Sequence, residues 1–172
     1  MKYFQDGLVL DIGCGNCLWN KQGIPVVGMD ICESMLRYNM GHVSSFFPVQ
    51  ADFTKGLSVR SESVEMVVVT ETLEHLLHYH VLIEEIRRVL KKGGVVISSV
   101  PYGRFPGLWG LFFPLWCRYK GWKDKDAYYR NRCGHAVSFN IRKLRMAFSG
   151  FTFLEKRVVR LMTLFVVARK PR

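Results

Sequence analysis

Along the first hundred positions, short apolar runs alternate with amphipathic or polar stretches. Leu8–Ile12, Ile24–Asp30, Phe46–Asp52, Val64–Thr70 and Val95–Val100 have the length and β-branched content of strands. Val64-Glu-Met-Val-Val-Val-Thr70 is nearly all apolar, which suits a strand buried on both faces. Between the runs, the pattern predicts a helix over Cys32–Met40, with Glu33 in its first turn and Gly41 as its stop. A second is predicted over Tyr79–Lys92, where Val81, Leu82, Ile86, Val89 and Leu90 form a stripe and Gly93-Gly94 ends it. Strand and helix in alternation with short links predict a parallel α/β fold.

From Tyr102 to Gly134 the periodicity fails. It returns in Asn140–Phe148, a predicted helix with Ile141, Leu144, Ala147 and Phe148 on one face and Gly150 as its stop. Phe151–Arg160 and Thr163–Arg169 then read as two strands separated by Leu161-Met162, an antiparallel hairpin. A chain of 172 residues, 49% hydrophobic and 23% charged, is expected to be one domain, 1–172, with one core and no disorder. Met1-Lys-Tyr-Phe-Gln-Asp6 turns polar at once, so no signal peptide is expected.

The chemistry concentrates in Leu8-Val-Leu-Asp-Ile-Gly-Cys-Gly-Asn-Cys17. A strand runs into Gly13-Cys14-Gly15 and then Asn16, a residue able to cap a helix, as in loops that cradle nucleotides. Asp11 changes the choice of ligand. A carboxylate beside that turn repels a pyrophosphate and suits a ligand carrying an ammonium or sulfonium group. Leu18 also stands where a dinucleotide fingerprint has its third glycine. Asp30, nineteen residues after Asp11, ends the second run, where an acid can hold a ribose diol.

These stretches, V-L-D-I-G-C-G and V-V-G-M-D-I-C-E-S-M-L, resemble the class I, Rossmann-like S-adenosylmethionine-dependent methyltransferases, type 11 in particular. The resemblance implies a three-layer α/β/α sandwich with seven strands in the order 3-2-1-4-5-7-6, the last antiparallel. It implies S-adenosylmethionine as cofactor. Asp11 and the Gly13-Cys14-Gly15 backbone would hold its methionyl part and Asp30 its ribose. Ile31 and Phe53 would pack on the adenine, Asp52 would accept from the exocyclic amine, and Thr70 and Glu71 would line the methionyl end. Thr70-Glu-Thr-Leu-Glu-His-Leu76 is similar to the family's motif after strand four, which sets Glu74 and His75 just under the cofactor. His75 is then a base or a group acting through its neighbours. His135, in Gly134-His-Ala-Val-Ser-Phe139, would face the acceptor as candidate base. The helices that such domains usually carry ahead of the first strand are not among these residues, so another segment is expected to cover the site.

No metal is expected. Cys14 and Cys17 are a single C-x-x-C inside the glycine turn, and the spacing of His75, His78 and His80 spreads them over different helix faces. The five scattered cysteines suit reduced thiols in the cytoplasm.

Charge divides the chain. Residues 1–100 carry net −2 and residues 101–172 net +13. Within the second part, Phe105–Cys117 is thirteen residues without a charge, followed by Arg118, Lys120, Lys123, Lys125, Arg130 and Arg132 among Tyr119, Trp122, Tyr128 and Tyr129. The uncharged run is too short, and too broken by Pro106 and Pro114, to span a bilayer, and the insert at about 102–134 has three readings. It is a lid lining the pocket of a small apolar acceptor, a segment dipping into an anionic membrane surface toward a lipid-like one, or a nucleic-acid platform of aromatics and cations. The layout is similar to quinone-pathway and lipid O-methyltransferases, and transfer to an oxygen or nitrogen, less readily to a carbon, is expected. A rival reading is a methyltransferase fold serving as a binding module or partner subunit.

Overall fold

The computed structural model describes residues 2–3, 6–103, 107–125 and 134–172. Among them seven strands form one sheet: β1 (Val9–Ile12), β2 (Val26–Asp30), β3 (Phe46–Gln50), β4 (Val64–Thr70), β5 (Leu90–Pro101), β6 (Thr152–Val159) and β7 (Thr163–Arg169). Their order is β3-β2-β1-β4-β5-β7-β6. Pairing is parallel from β3 through β5, and β7 lies antiparallel between β5 and β6. This is the order the resemblance implies.

Helices are α1 (Glu33–His42), α2 (Tyr79–Val89), α3 (Trp109–Lys123) and α4 (Ile141–Ala147). Alternation along the central strands divides the core into two layers. Val9, Val26, Met66 and Val68 pack with Leu36 of α1. Leu10, Ile12, Val67 and Val69 pack with Leu82 and Ile86 of α2, Leu144 of α4, and Phe148. Each such side chain contributes about 1.5–3 kcal/mol by leaving water, and having helices on both faces explains why the strands read as continuous apolar runs.

The elements depart from the sequence reading in five places. No helix follows the glycine turn; residues 13–25 are turns and extended links. Gly15, Cys17 and Gly23 have φ of +47°, +49° and +65°, which a right-handed helix excludes. Asn20 closes the stretch by bonding both the N–H and the carbonyl of Ile24, at 2.9 and 2.7 Å. Second, α1 runs through Gly41 to His42, because buried Leu36 and Asn39 anchor its last turns.

Third, α2 stops at Val89. Leu90 is extended, buried and registered with Val64, so β5 begins there, and Gly93 (φ +79°) sits inside the strand rather than capping the helix. Fourth, α3 occupies the aperiodic stretch. It is apolar on nearly every side and contains Pro114, so neither period nor propensity marks it. Fifth, the β6–β7 connection turns on Arg160 and Leu161, both at positive φ (+50° and +55°), with Met162 N–H donating to the Val159 carbonyl at 2.9 Å. Two left-handed residues thus open the three-residue connection, 160–162, between Val159 and its partner Thr163.

The carboxyl ends of β1, β2 and β4 open at one edge, and residues 134–139 cross it. Ala136 and Val137 N–H both donate to the Glu74 carbonyl at 2.9 Å, and Gly103 N–H donates to Phe139. These bonds fix what stands beside what in the site. Arg130, Arg132, Tyr128 and Tyr129 of the basic insert lie outside the described residues.

Candidate functional site

β1 delivers the chain into Gly13 (φ +67°), whose N–H, with that of Cys14, donates to the Met29 carbonyl at 2.8 and 3.2 Å. A Cβ at Gly13 would stand 2.6 Å from Thr72 Oγ1, so only glycine fits against the strand-four turn. Nothing local in the sequence marks Thr72 as a packing partner of the glycine turn. At Gly15 a Cβ would meet nothing within 4 Å. Its N–H donates to Asp30 Oδ2 at 2.9 Å, and its carbonyl accepts from Asn39 Nδ2 at 2.7 Å.

Asp30 ends β2 half-buried, with Oδ1 accepting from Cys32 N–H at 2.9 Å. Beyond it, Ile31 is 63% exposed. Asp52 stands past the end of β3 and starts a short turn. Its Oδ1 accepts from the Thr54 N–H and hydroxyl at 3.1 and 2.5 Å, and these bonds hold the carboxyl below its usual range. Phe53 packs against the main core.

Asp11 lies beneath the turn, 1% exposed. Its Oδ2 accepts from Trp19 Nε1–H at 2.7 Å and from the Cys17 thiol at 3.5 Å, while Oδ1 has no partner. Burial pushes the carboxyl up to about 6, against the pull of those two bonds. Trp19 is a contributor that sequence reasoning missed, since it falls where a helix was expected. Burial also raises both thiols of the C-x-x-C, Cys17 to about 12, so they stay protonated at neutral pH.

β4 ends at half-buried Thr70 and enters a short helical turn, Leu73–His75. Glu71 takes a positive φ of 50° and its Oε1 accepts from Ser99 Oγ at 2.7 Å. Glu74 is 1% exposed and its Oε2 has no partner; burial, and then the Glu71 charge, push it up to about 8. His75 is exposed and its Nδ1 lies 3.2 Å from the Gly134 carbonyl. His135 comes from sixty residues further on and meets it edge to face, ring centroids 4.9 Å apart. Its other face stacks on Phe113 of α3 at 4.8 Å. Burial, and then His75, lower its pKa to about 4.

His135 also lines a cavity of about 90 Å³ with Trp109, Phe113 and Pro114. A larger apolar cleft of about 270 Å³ lies between α4 and the β6–β7 hairpin, lined by Leu144, Phe153 and Phe165 among others. No residue of the glycine turn or of the β4 end reaches it. Thus the fold gathers Asp11, Gly13, Cys14, Gly15 and Asp30 in one place and Glu71, His75 and His135 in another, with Thr72 joining them.

The Methyltransferase domain family matches residues 10–98. No curated relative matches the chain. Among solved structures it is similar to the methyltransferase in a complex with the Haloferax volcanii Trm112 methyltransferase activator: 18% identical, TM-score 0.74, covering 100% of this chain and 86% of that one. It is similar to a methyltransferase structure from Bacillus halodurans at 15% identity and TM-score 0.75, covering 99% and 96%. A SAM-dependent methyltransferase from Methanosarcina mazei gives 19% and 0.71, covering 99% and 95%. With over half of the 172 residues matched and the seven-strand order in place, the chain belongs to the methyltransferase domain family, type 11, whose cofactor is S-adenosylmethionine.

Proposed function

We propose that the chain is an S-adenosylmethionine-dependent methyltransferase acting on an oxygen or nitrogen of a small apolar or lipid-like acceptor. The observation that carries this is the junction of Gly15 and Asp30: a backbone open where a Cβ would stand, bonded to a half-buried carboxylate at the β2 tip. The donor set fits the cofactor. Among the described residues, the turn bonds to carbonyls, Asp30 and Asn39, with no lysine or arginine to balance a pyrophosphate. A nucleoside with a cationic sulfur suits it better.

In this reading Gly13, Cys14 and Gly15 hold the methionyl part, Asp30 the ribose, and Ile31 and Phe53 flank the adenine. Asp52 accepts from the amine, and Thr70 and Glu71 line the methionyl end. Asp11 acts from beneath, supporting the turn through Trp19 and adding negative potential. The bound cofactor supplies a methyl group on a positively charged sulfur. The chain's own task is to align the acceptor with it. His75 and His135 stand at the acceptor side, and His135, with its low pKa, is neutral and able to accept a hydrogen bond at pH 7.

The acceptor's apolar character rests on α3. Phe113 and Cys117 face inward, yet Phe112, Leu115, Trp116, Tyr119 and Trp122 on the outer face are 46–77% exposed. A helix apolar on both sides needs a second apolar surface. A lid that also meets an anionic membrane fits this, with residues 102–134 as the acceptor-binding region of a single domain. No helix among the described residues is long and apolar enough to cross a membrane.

Calorimetric titration with S-adenosylmethionine tests the reading. The wild type binds, and Asp30→Ala weakens binding at least about tenfold, the loss of roughly one charge-assisted pair of hydrogen bonds. Unchanged affinity in Asp30→Ala refutes the site. Methyl-labelled cofactor offered to acceptor pools, with binding to anionic liposomes and to single-stranded RNA across a salt series, then identifies the acceptor class. The second reading, a partner-dependent subunit, is favoured by edge strand β3, where Phe47 and Val49 are 56% and 37% exposed. One similar structure is held by the Trm112 activator. Cofactor binding that requires an added partner distinguishes it.

A further inference from the structure

We propose that Glu74, His75 and His135 form a site for one divalent transition-metal ion of the zinc, manganese or iron(II) class, beside the acceptor cavity. One ligand atom from each lies within 4.8 Å of the other two, and His75 Nε2 is 3.9 Å from Glu74 Oε1. Carboxylate and imidazole ligands bind such ions at about 2.0–2.2 Å, so donors around an ion stand roughly 3–4 Å apart. Rotations that close about 1 Å complete the shell.

Three further observations point to a ligand here. A carbonyl can only accept, so the 3.2 Å contact with Gly134 makes Nδ1 the protonated nitrogen of His75. Nε2 then presents its lone pair toward Glu74, the arrangement in which a backbone carbonyl orients a metal-binding imidazole. Glu74 Oε2 is buried without a partner among the described residues. A buried carboxyl oxygen left unpaired is costly, and a cation held by the same carboxylate answers the orphan. Finally, the ligands are set by backbone. The Ala136 and Val137 bonds to the Glu74 carbonyl bring His135 to His75 whether or not an ion is present.

Two imidazoles and one carboxylate favour a borderline transition metal over calcium or magnesium, which prefer oxygen shells. Three protein ligands leave positions open to an acceptor. His135 faces that cavity as well as His75, so an ion there polarises an acceptor hydroxyl. This role rests on the methyl-transfer reading; binding of the ion does not.

The test uses the whole chain, stripped by chelator and titrated with Co²⁺ and Zn²⁺ without S-adenosylmethionine. We expect one equivalent bound, the visible absorption of four- or five-coordinate cobalt, and at least about tenfold weaker binding in His75→Ala and His135→Ala. Cys32→Ser should bind as the wild type does. His75 is exposed, so its variant tests the site without unsettling the core. Absence of stoichiometric binding, or binding indifferent to both histidine substitutions, overturns the site. S-adenosylmethionine calorimetry on the same samples separates the two proposals. Cobalt held by the histidines without cofactor binding keeps the ion and removes its role; cofactor binding without histidine-dependent cobalt keeps the transferase alone.

Discussion

Asp11 is a buried carboxyl with one oxygen unpaired, and replacing it with asparagine turns that into a measurable pH dependence. Its pKa rises from an ordinary 3.8 to about 6 on folding, chiefly by burial. At about 1.4 kcal/mol per tenfold change in proton affinity, ionising it costs the fold about 3 kcal/mol. Because the folded-state value is the higher one, the neutral carboxyl's contribution is complete below pH 3.8 and is lost as pH rises through 6. Asp11→Asn never ionises. Its amide oxygen keeps the Trp19 bond, while its NH₂ group faces the position where Oδ1 has no partner, a pH-independent cost of about 1–3 kcal/mol. Urea denaturation of both proteins from pH 3.5 to 7.5 separates these effects. Groups common to both proteins cancel in the difference, which should move by about 3 kcal/mol in favour of Asp11→Asn as pH rises. A flat difference would refute the argument that Asp11 is ionised against its burial.

Two other substitutions test the backbone. Gly13→Ala meets Thr72 and a left-handed φ together, so it should cost about 2–4 kcal/mol and abolish binding of S-adenosylmethionine. Adding Thr72→Ala should recover part of the stability, the clash but not the strain, as read from urea midpoints. Leu161→Gly should stabilise by about 0.5–1 kcal/mol, since the turn places a 45%-exposed leucine at positive φ. Thermal denaturation should show a gain of about 2–4 °C for each kcal/mol, and a lower midpoint would contradict the assignment of strain.

Strands and helices whose apolar spacing serves one local surface were legible in the sequence. β4 reads as buried on both faces because it is, and Leu82, Ile86 and Val89 mark α2 because one side of that helix meets the sheet. Where two surfaces compete the pattern fails. α3 buries Phe113 and Cys117 on one side and exposes Phe112, Leu115 and Trp116 on the other, so its apolar residues carry no period. Leu90 fits the stripe of α2 equally well as a helix or strand residue, and only its register with Val64 decides.

The site divides the same way. Asp11, Gly13, Gly15 and Asp30 are close in sequence around two strand ends, and geometry over so short a span follows from residue type: glycine where φ is positive, acid where a strand stops. By itself the sequence therefore determined the parallel α/β class, the glycine turn and the acid that ends β2. Only the tertiary structure decided that Trp19 takes the Asp11 carboxylate, that Thr72 closes on Gly13, and that His135 meets His75 and Glu74. Those contacts join residues that no spacing relates. They exist because burying the two apolar layers of the sheet folds distant turns onto one edge, and partners at that edge are chosen by the packing beneath them.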